Sequence, residues 1–496
     1  MLLLKLLGSL AYFSASLVFV PFLHNEFHYT DVQAGTLYGV WGLLASVFGV
    51  VCGPLIDYFG VKKSLVLGSL LGVAGGVILA LARTRGWLLL SVCFLMPMST
   101  SLGIPVLTIG VKRFTHAANK DLAYGIFYST MNIGAVVAGP CVDAVRFAVA
   151  DGISYGAYTA SAARVIFLMA GMLMLLMALL AVGLMRPIVV MKDGRVLECG
   201  AMSGASVRPV TAYDDNSDTE NDEDILGLLE ENAEELHPSH AAPVRCSFNP
   251  RSWLAPLRDR FFWRLVIFSF SMTPVNMIFR HLDATLPTWL LRTMGERVAF
   301  GTLYIVDPLC VIFLATLFPI LFGKYDVYKR MIVGTAISAL SVFVLVIQSS
   351  ELSVIMFGVL LSVGESLYSP LINSYTMSLA PKDKEGSYSA LSSAPLFTTK
   401  LFVGFISGAL LGSYCPDGGP TTQCAIVWVW VGSIAMLSPV FLLAAKRIVH
   451  DSQSQIRISQ QVDGKKREDP GEGILDKIDN TLEKIHENRE KPINKQ

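Results

Sequence analysis

The chain has 496 residues, of which 53% are hydrophobic and only 16% are charged, and its 39 basic residues equal its 39 acidic ones. So little charge excludes an ordinary soluble globular protein, and balanced charge gives no indication of nucleic-acid binding. A mean hydropathy of +0.54 indicates a large lipid-facing surface. The sequence has no Walker loop, His-Glu-x-x-His or Cys-x-x-Cys pattern, so it predicts neither an enzyme nor a bound cofactor or metal.

Apolar runs recur twelve times along the sequence, each with the ~20 residues needed to cross ~30 Å of hydrocarbon. The predicted spans cover residues 6–23, 33–56, 65–82, 87–110, 122–145, 163–185, 262–280, 300–322, 331–349, 353–379, 388–413 and 425–445. Six spans, a long polar break and six more spans indicate a duplicated unit. We therefore expect an all-α polytopic membrane protein with twelve transmembrane helices in two six-helix bundles.

The polar breaks divide the chain into four predicted parts. These are an N-terminal six-helix bundle (1–186), a cytoplasmic linker (187–259), a C-terminal six-helix bundle (260–447) and a cytoplasmic tail (448–496). The linker has an acidic centre and too few apolar residues to form a core, which predicts disorder. Within it, Leu228 and Leu229 complete an acidic dileucine pattern of the kind that eukaryotic sorting adaptors bind, although so short a pattern also arises by chance.

Basic residues in the short loops predict which side of the membrane each loop faces. Most of them fall on the side that carries both termini and the linker, so we expect that side to be cytoplasmic, although several arginines lie opposite. The plasma membrane and an endolysosomal membrane both remain open. Cys415 and Cys424 share one short loop on the opposite side, where a disulfide and two free thiols are equally compatible with the sequence.

The strongest local motif lies between the second and third predicted spans. Gly53 allows close helix contact and Gly60 permits a tight turn. Asp57 can cap a helix end or pair with a basic residue, and Lys62 and Lys63 anchor the cytoplasmic side. This order of glycine, aspartate, glycine and basic pair resembles the loop signature of the major facilitator superfamily. The resemblance implies two related bundles around a midplane cavity, alternating access, and a gating role for the loop.

Three further segments are together similar to the proton-dependent oligopeptide transporter family. They are Leu37-Tyr38-Gly39, the stretch from Phe127 to Gly134, and Gly364-Glu365 with the following Ser369-Pro370. In that family the substrate binds between the two halves, and protons on carboxylates drive uptake. The resemblance thus implies a secondary active transporter of a small organic solute, with a peptide or amino acid favoured and proton symport possible. The candidates it gives for substrate binding or coupling include Tyr38, Tyr128, Asn132 and Glu365.

Two charges expected from that family are missing. The first span has no Glu-x-x-Glu-Arg, since residues 6–16 contain no acid, and the fourth has Gly103-Ile104-Pro105 where the family commonly has a lysine before the proline. The substrate and the coupling therefore stay open. An uncoupled facilitator of a sugar, nucleoside or organic ion, and a non-transporting receptor or scaffold on the same fold, are the alternatives.

Charged residues inside the predicted spans are independent candidates for a functional site, because each costs at least ~2.5 kcal/mol at bilayer depth. Glu365 and Lys400 lie near the middle of consecutive spans and are predicted to form an ion pair, either structural or lining the cavity. Asp307 precedes Pro308 in the eighth span, where a bent helix favours gating. Asn132 is expected to make an interhelical hydrogen bond, with cavity lining as the alternative.

The seventh predicted span has a polar end. Arg280, His281 and Asp283 stand there, and a histidine ordinarily titrates near neutral pH. A proton-responsive cluster, an outer gate and a solvated helix end are all compatible with this pattern.

Overall fold

The computed structural model of the chain describes residues 1–114, 120–155, 158–185, 188–190, 196–198, 260–322, 325–378 and 385–446. Nearly all of these residues are helical. Residues Met1–Ala444 form one compact unit, and the second unit, Ala445–Gln496, is described only at its first two residues.

The first half of the described chain has six helices, one of which is bent in its middle. They are α1 (Leu2–Phe27), α2 (Asp31–Leu81), α3 (Arg85–Leu90), α4 (Met96–Phe114), α5 (Lys120–Ala148) and α6 (Ala162–Leu184). A π-helical turn, Ser91–Leu95, joins α3 to α4 within one span. Between α5 and α6, β1 (Ile153–Tyr155) pairs antiparallel with β2 (Tyr158–Ala160), placing Ser154 opposite Thr159.

The second half repeats the long helices with more interruptions. Its helices are α7 (Arg260–Ala284), α8 (Leu286–Met294), α9 (Phe300–Tyr304), α10 (Val306–Phe322), α11 (Val327–Ser341), α12 (Val344–Ile347), α13 (Glu351–Ser378), α14 (Glu385–Tyr414) and α15 (Ala425–Ala435), followed by helical residues 437–446. A short 3-10 turn, Thr421–Gln423, precedes α15.

The helices account for the twelve predicted spans. Ten helical segments within the described residues are long and apolar enough to cross a membrane. The two remaining predicted spans correspond to α7 and α14, which are 25 and 30 residues long. The twelve-helix prediction is therefore confirmed. In the part of the chain that the structure describes, the two short strand pairs are the only regular structure that the sequence did not predict.

Polar side chains begin several of these helices at the positions where backbone N–H groups lack a helical partner. The Thr30 hydroxyl accepts a hydrogen bond from the backbone N–H of Gln33, whose side chain accepts one from the N–H of Thr30. This reciprocal capping box fixes the start of α2. The Ser161 hydroxyl caps α6 by accepting from the N–H of Arg164, and Asp326 caps α11 by accepting from the N–H of Lys329.

Gly60 divides α2 into two spans, as the loop motif predicted. Its φ of 78° and ψ of 168° lie where a residue with a side chain is strained. Lys62 donates a hydrogen bond of 2.9 Å to the carbonyl of Val182 and so ties this turn to α6. Lys63 is exposed, Gly53 belongs to the helical backbone, and the side chain of Asp57 lies outside the described part of the structure.

The predicted linker begins with structure that the sequence did not indicate. Directly after α6, β3 (Ile188–Val190) pairs antiparallel with β4 (Val196–Glu198). Leu228, Leu229, the acidic centre of the linker and residues 447–496 lie outside the described residues. The linker boundaries and the dileucine function stay predictions.

Candidate functional site

The two halves meet closely at one end of the molecule, which we call the disulfide end because Cys415 and Cys424 form a disulfide there. The loops α1–α2 and α5–α6 lie at the same end, since His24 is 3.8 Å from Asp417 of the disulfide loop and Ser161 donates to Glu26. The Trp289 indole donates to the carbonyl of Cys424 at 3.1 Å, which joins α8 to the disulfide loop. Of the two alternatives left by the sequence, the structure has the disulfide.

Four glycines bring α2 and α14 into backbone contact, and we call them the glycine seam: Gly35, Gly39, Gly404 and Gly408. A Cβ atom added at Gly35 would lie 2.1 Å from the carbonyl oxygen of Gly404. One added at Gly408 would lie 2.4 Å from the carbonyl oxygen of Asp31. Only glycine permits this approach. The seam was not predicted from the sequence, although glycines four residues apart on both helices were the available signal.

A second close contact joins α5 to α9. A Cβ atom added at Gly139 would lie 2.1 Å from the carbonyl oxygen of Gly301. Beside it, Asp143 accepts hydrogen bonds from the backbone N–H groups of Gly301 at 3.1 Å and Thr302 at 2.7 Å, and from the Thr302 hydroxyl at 2.8 Å. Arg146 pairs with Asp143 at 3.1 Å and donates to the carbonyl of Val298. One carboxylate on the first half thus caps the first turn of α9 on the second half.

An ion pair closes the other side of this end. Two guanidinium nitrogens of Arg292 on α8 lie 2.7 and 3.1 Å from the two carboxylate oxygens of Asp31 on α2. The same guanidinium donates to the carbonyl of Cys415 at 2.7 Å. Two of the arginines that weakened the charge bias seen in the sequence, Arg146 and Arg292, are therefore held by protein groups.

Lys400 lies in the middle of α14 and is 2% exposed. Its Nζ is 3.9 Å from the ring centre of Trp41 and 4.8 Å from those of Tyr12 and Tyr38. No carboxylate within the described residues pairs with it, so the predicted ion pair with Glu365 is wrong. The physical reason is packing: α13 packs mainly against α10 and α11, whereas α14 packs mainly against α2 and α7.

Arg280 on α7 reaches one of these rings, Tyr12, and lies close to Asp283 on the same helix. Arg280 donates to the Tyr12 hydroxyl at 2.9 Å and is 3.7 Å from the carboxylate of Asp283. Asp283 accepts a hydrogen bond of 2.6 Å from the hydroxyl of Ser16 on α1. We call Lys400, Arg280, Asp283 and the rings of Tyr12, Tyr38 and Trp41 the basic cluster. Tyr12, Ser16 and Trp41 were not predicted as site residues, and their only signal was a polar or amphipathic side chain inside an apolar span.

The polar end of the seventh span is not a solvated helix end, because α7 continues to Ala284 and is followed at once by α8. Asp283 is 2% and His281 1% exposed. The His281 ring is hydrogen-bonded to Thr285 at 2.6 Å, and Thr285 donates to Ser407 at 2.7 Å. His281 therefore faces α14 through a hydroxyl chain, whereas Arg280 and Asp283 face the first half.

Asp307 and Glu365 form an acidic cluster on α10 and α13. The Tyr128 hydroxyl on α5 donates to Glu365 and is 3.1 Å from the Ser369 hydroxyl. The Ser362 hydroxyl is 2.9 Å from the Asp307 carboxylate. Both carboxylates are buried, and neither has a basic partner in the parts of the chain that are described. Glu365 thus links the halves through Tyr128.

Tyr304 on α9 contacts the first half near the basic cluster. It is buried, and its ring lies 6.1 Å from that of Phe13, the neighbour of Tyr12 on α1. Tyr304 was not among the residues predicted from the sequence.

Asn132 lies one helical turn beyond Tyr128 on the face of α5 that meets the second half. It is buried, and its Nδ2 has no hydrogen-bond partner among the described residues. The expected interhelical hydrogen bond is therefore absent there, and the cavity-lining alternative remains.

The chain matches the sequence model of a family described as Major Facilitator Superfamily over residues 1–397. Comparison with curated proteins gives no match.

A solved peptide transporter POT in complex with sulfate has a TM-score of 0.61 at 17% identity, covering 90% of this chain and 94% of that one. A bacterial homologue of the human drug peptide transporters PepT1 and PepT2 has a TM-score of 0.62 at 16% identity, covering 91% and 97%. A POT family transporter in complex with 5-aminolevulinic acid gives 0.62 at 15%, covering 90% and 95%. At these identities the likeness shows the fold.

Proposed function

Because the chain belongs to the major facilitator superfamily, we propose that it is a secondary transporter of a small solute of the peptide or amino-acid class, driven by protons. The solute class is supported by the structural neighbours, which are described as peptide transporters or were solved with 5-aminolevulinic acid. The observation that carries proton coupling is the acidic cluster, in which two buried carboxylates have no cation among the described residues.

A buried carboxylate without a cation is costly in its charged form, and a proton or the amine of a solute can neutralise it. Glu365 is also bonded to Tyr128 across the interface between the halves. Binding of a proton or an amine at Glu365 therefore changes a contact that links the halves. A ligand that binds one arrangement of the halves better than the other shifts the balance between them, as alternating access requires.

Glu365→Gln tests this assignment in proteoliposomes with an imposed pH gradient. Wild type is expected to accumulate labelled dialanine when the outside is acidic. Glu365→Gln should lose this accumulation but keep exchange of internal for external dialanine, because an uncharged side chain cannot carry the proton. Glu351→Gln is the matched control, since Glu351 is exposed at the start of the same helix.

Three outcomes would contradict the proposal. Accumulation that ignores the pH gradient would favour an uncoupled facilitator. Unchanged proton-driven accumulation in Glu365→Gln would remove this residue from coupling. Absence of flux for peptides, amino acids, sugars, nucleosides and organic ions would favour a receptor or scaffold.

We further propose that the disulfide end faces away from the cytoplasm and that both termini lie on the cytoplasmic side. Disulfides persist in oxidising compartments, and the basic residues of the short loops concentrate at the opposite end, which carries Lys62 and Lys63. Single cysteines replacing Lys63 and Arg297 should then react with an impermeant maleimide from opposite sides of the membrane. The loop of Gly53, Asp57 and Gly60 would gate the cytoplasmic side.

The choice between the plasma membrane and an endolysosomal membrane rests on the dileucine pattern. Binding of sorting adaptors there would hold the protein in endolysosomal membranes. Imaging of a Leu228→Ala, Leu229→Ala double variant should then show the protein moving to the cell surface. An unchanged distribution would remove the adaptors as partners.

A further inference from the structure

The ammonium group of Lys400 is enclosed by protein but is not neutralised by it. Three aromatic faces surround it, and no hydrogen bond or carboxylate reaches it within the described residues. Cation–π contacts recover only part of the hydration that a buried ammonium loses. A second positive charge, Arg280, donates a hydrogen bond to the hydroxyl of Tyr12, one of these three rings.

The basic cluster is also unbalanced in charge. Arg280 and Lys400 bring two positive charges, and Asp283 brings one negative charge that already accepts from Ser16 and lies near Arg280. Among the described residues, the Nε of Arg280 and the Oδ1 of Asp283 both have no hydrogen-bond partner, so the surplus in the cluster is the ammonium group of Lys400. A buried site with surplus positive charge and an unused donor fits an anionic group.

The rings and the lysine come from different halves. Tyr12, Tyr38 and Trp41 stand on α1 and α2, whereas Lys400 stands on α14. The glycine seam accounts for the contact, because a Cβ atom at Gly39 would lie 3.3 Å from the carbonyl oxygen of Lys400. The ammonium group therefore lies on the interface where substrates of a two-bundle transporter bind.

We propose that Lys400 binds the carboxylate of the transported solute, with Arg280 as the second donor. This inference rests on the proposed function and specifies one part of it, since the acidic cluster would receive the amine of the same solute. A carboxylate that pairs with Lys400 replaces cation–π contacts that hold the second half to the first. Solute binding at this residue thus also changes a link between the halves.

Purified wild type, Lys400→Met and Lys400→Arg test the proposal through intrinsic fluorescence and thermal unfolding. The probes are dialanine, dialanine amide, which lacks only the carboxylate, and sodium sulfate at constant ionic strength. Trp41 lies against the ammonium group, so Trp41→Phe should abolish the fluorescence change that binding causes. Lys446→Met is the control for loss of an exposed lysine.

Wild type is expected to bind dialanine about ten-fold or more tightly than its amide, as for a charge-assisted hydrogen bond. Lys400→Met should bind both equally, and Lys400→Arg should keep the preference. The empty Lys400→Met protein should unfold at no lower temperature than wild type, because methionine removes an unpaired buried charge. A lower unfolding temperature together with an unchanged preference for the acid would assign Lys400 a structural role and overturn the proposal.

The sulfate arm separates this inference from the proposed function. If dialanine and its amide both fail to bind, the solute class is wrong, but sulfate binding that Lys400→Met abolishes would still support an anion site. If neither dialanine nor sulfate binding depends on Lys400, the anion site is wrong. In that case, proton-driven transport through Glu365 can still hold.

Discussion

At the disulfide end the two halves meet through glycine backbones and bonded ion pairs, whereas in the centre they meet through charged side chains with few partners. The glycine seam leaves no space for a Cβ atom, and Asp143 makes three hydrogen bonds across the interface. In the centre, Lys400 has only aromatic faces, and Asp307 and Glu365 have only hydroxyl donors among the described residues.

This difference separates two kinds of contact between the halves. Contacts at the disulfide end stabilise one conformation, and residues in the centre can bind a ligand. Groups that satisfy each other gain nothing from a solute, so the disulfide end acts as a closed contact. Burying a charge without a partner costs free energy. A solute or proton that neutralises the charge recovers part of this free energy when it binds. Substitutions at the disulfide end should therefore change stability most, and substitutions in the centre should change binding most.

Gly404→Leu should have the largest effect on stability. Its Cβ alone would lie 2.2 Å from the carbonyl oxygen of Gly35, so α2 and α14 must separate. We expect a loss of about 3 kcal/mol, the upper end of ordinary overpacking, measured by unfolding of the purified protein. Gly49→Leu is the control, because a Cβ at Gly49 meets nothing within 4 Å. Equal stability of the two variants would show that the seam is not required.

Asp143→Ala should have the next largest effect. It leaves two backbone N–H groups of α9 and the guanidinium of Arg146 without their carboxylate. Because unsatisfied buried donors cost about 1–3 kcal/mol each, partly recovered by water at this end, we expect a net loss of about 2 kcal/mol. The affinity for dialanine should stay within about two-fold of wild type, since the site lies elsewhere. Asp151→Ala, an exposed position in the adjoining turn, is the control. A large loss of affinity in Asp143→Ala would contradict the separation of the two regions.

The spans were predictable because hydropathy is a local property. Twelve apolar runs and a glycine at the α2 turn follow from the residues themselves, and Gly60 has the backbone conformation that the motif implied. The end of the seventh span was placed too early, since polar residues lower the hydropathy of Arg280 to Asp283 although the helix continues.

The partners in the site were not predictable in the same way. Glu365 and Lys400 are neighbours among intramembrane charges, but they lie on helices that pack against different partners. The contact of Gly35 with Gly404 joins residues far apart in sequence. Their spacing within each helix indicates a close contact, but it does not name the other helix.

Asn132→Ala should have the smallest effect on stability and should still weaken binding. Because its Nδ2 makes no hydrogen bond among the described residues, removal of the amide leaves no protein group without a partner. We expect a change in stability within about 0.5 kcal/mol.

If the amide lines the solute path beside Tyr128, dialanine should bind several-fold more weakly, by about 1 kcal/mol for one lost hydrogen bond. Thr130→Ala is the control on α5, since its hydroxyl donates to the carbonyl of Ile126 on its own helix. Destabilisation by Asn132→Ala without a change in binding would place Asn132 with the structural contacts of the disulfide end, and would reduce the central site to its charged residues and tyrosines.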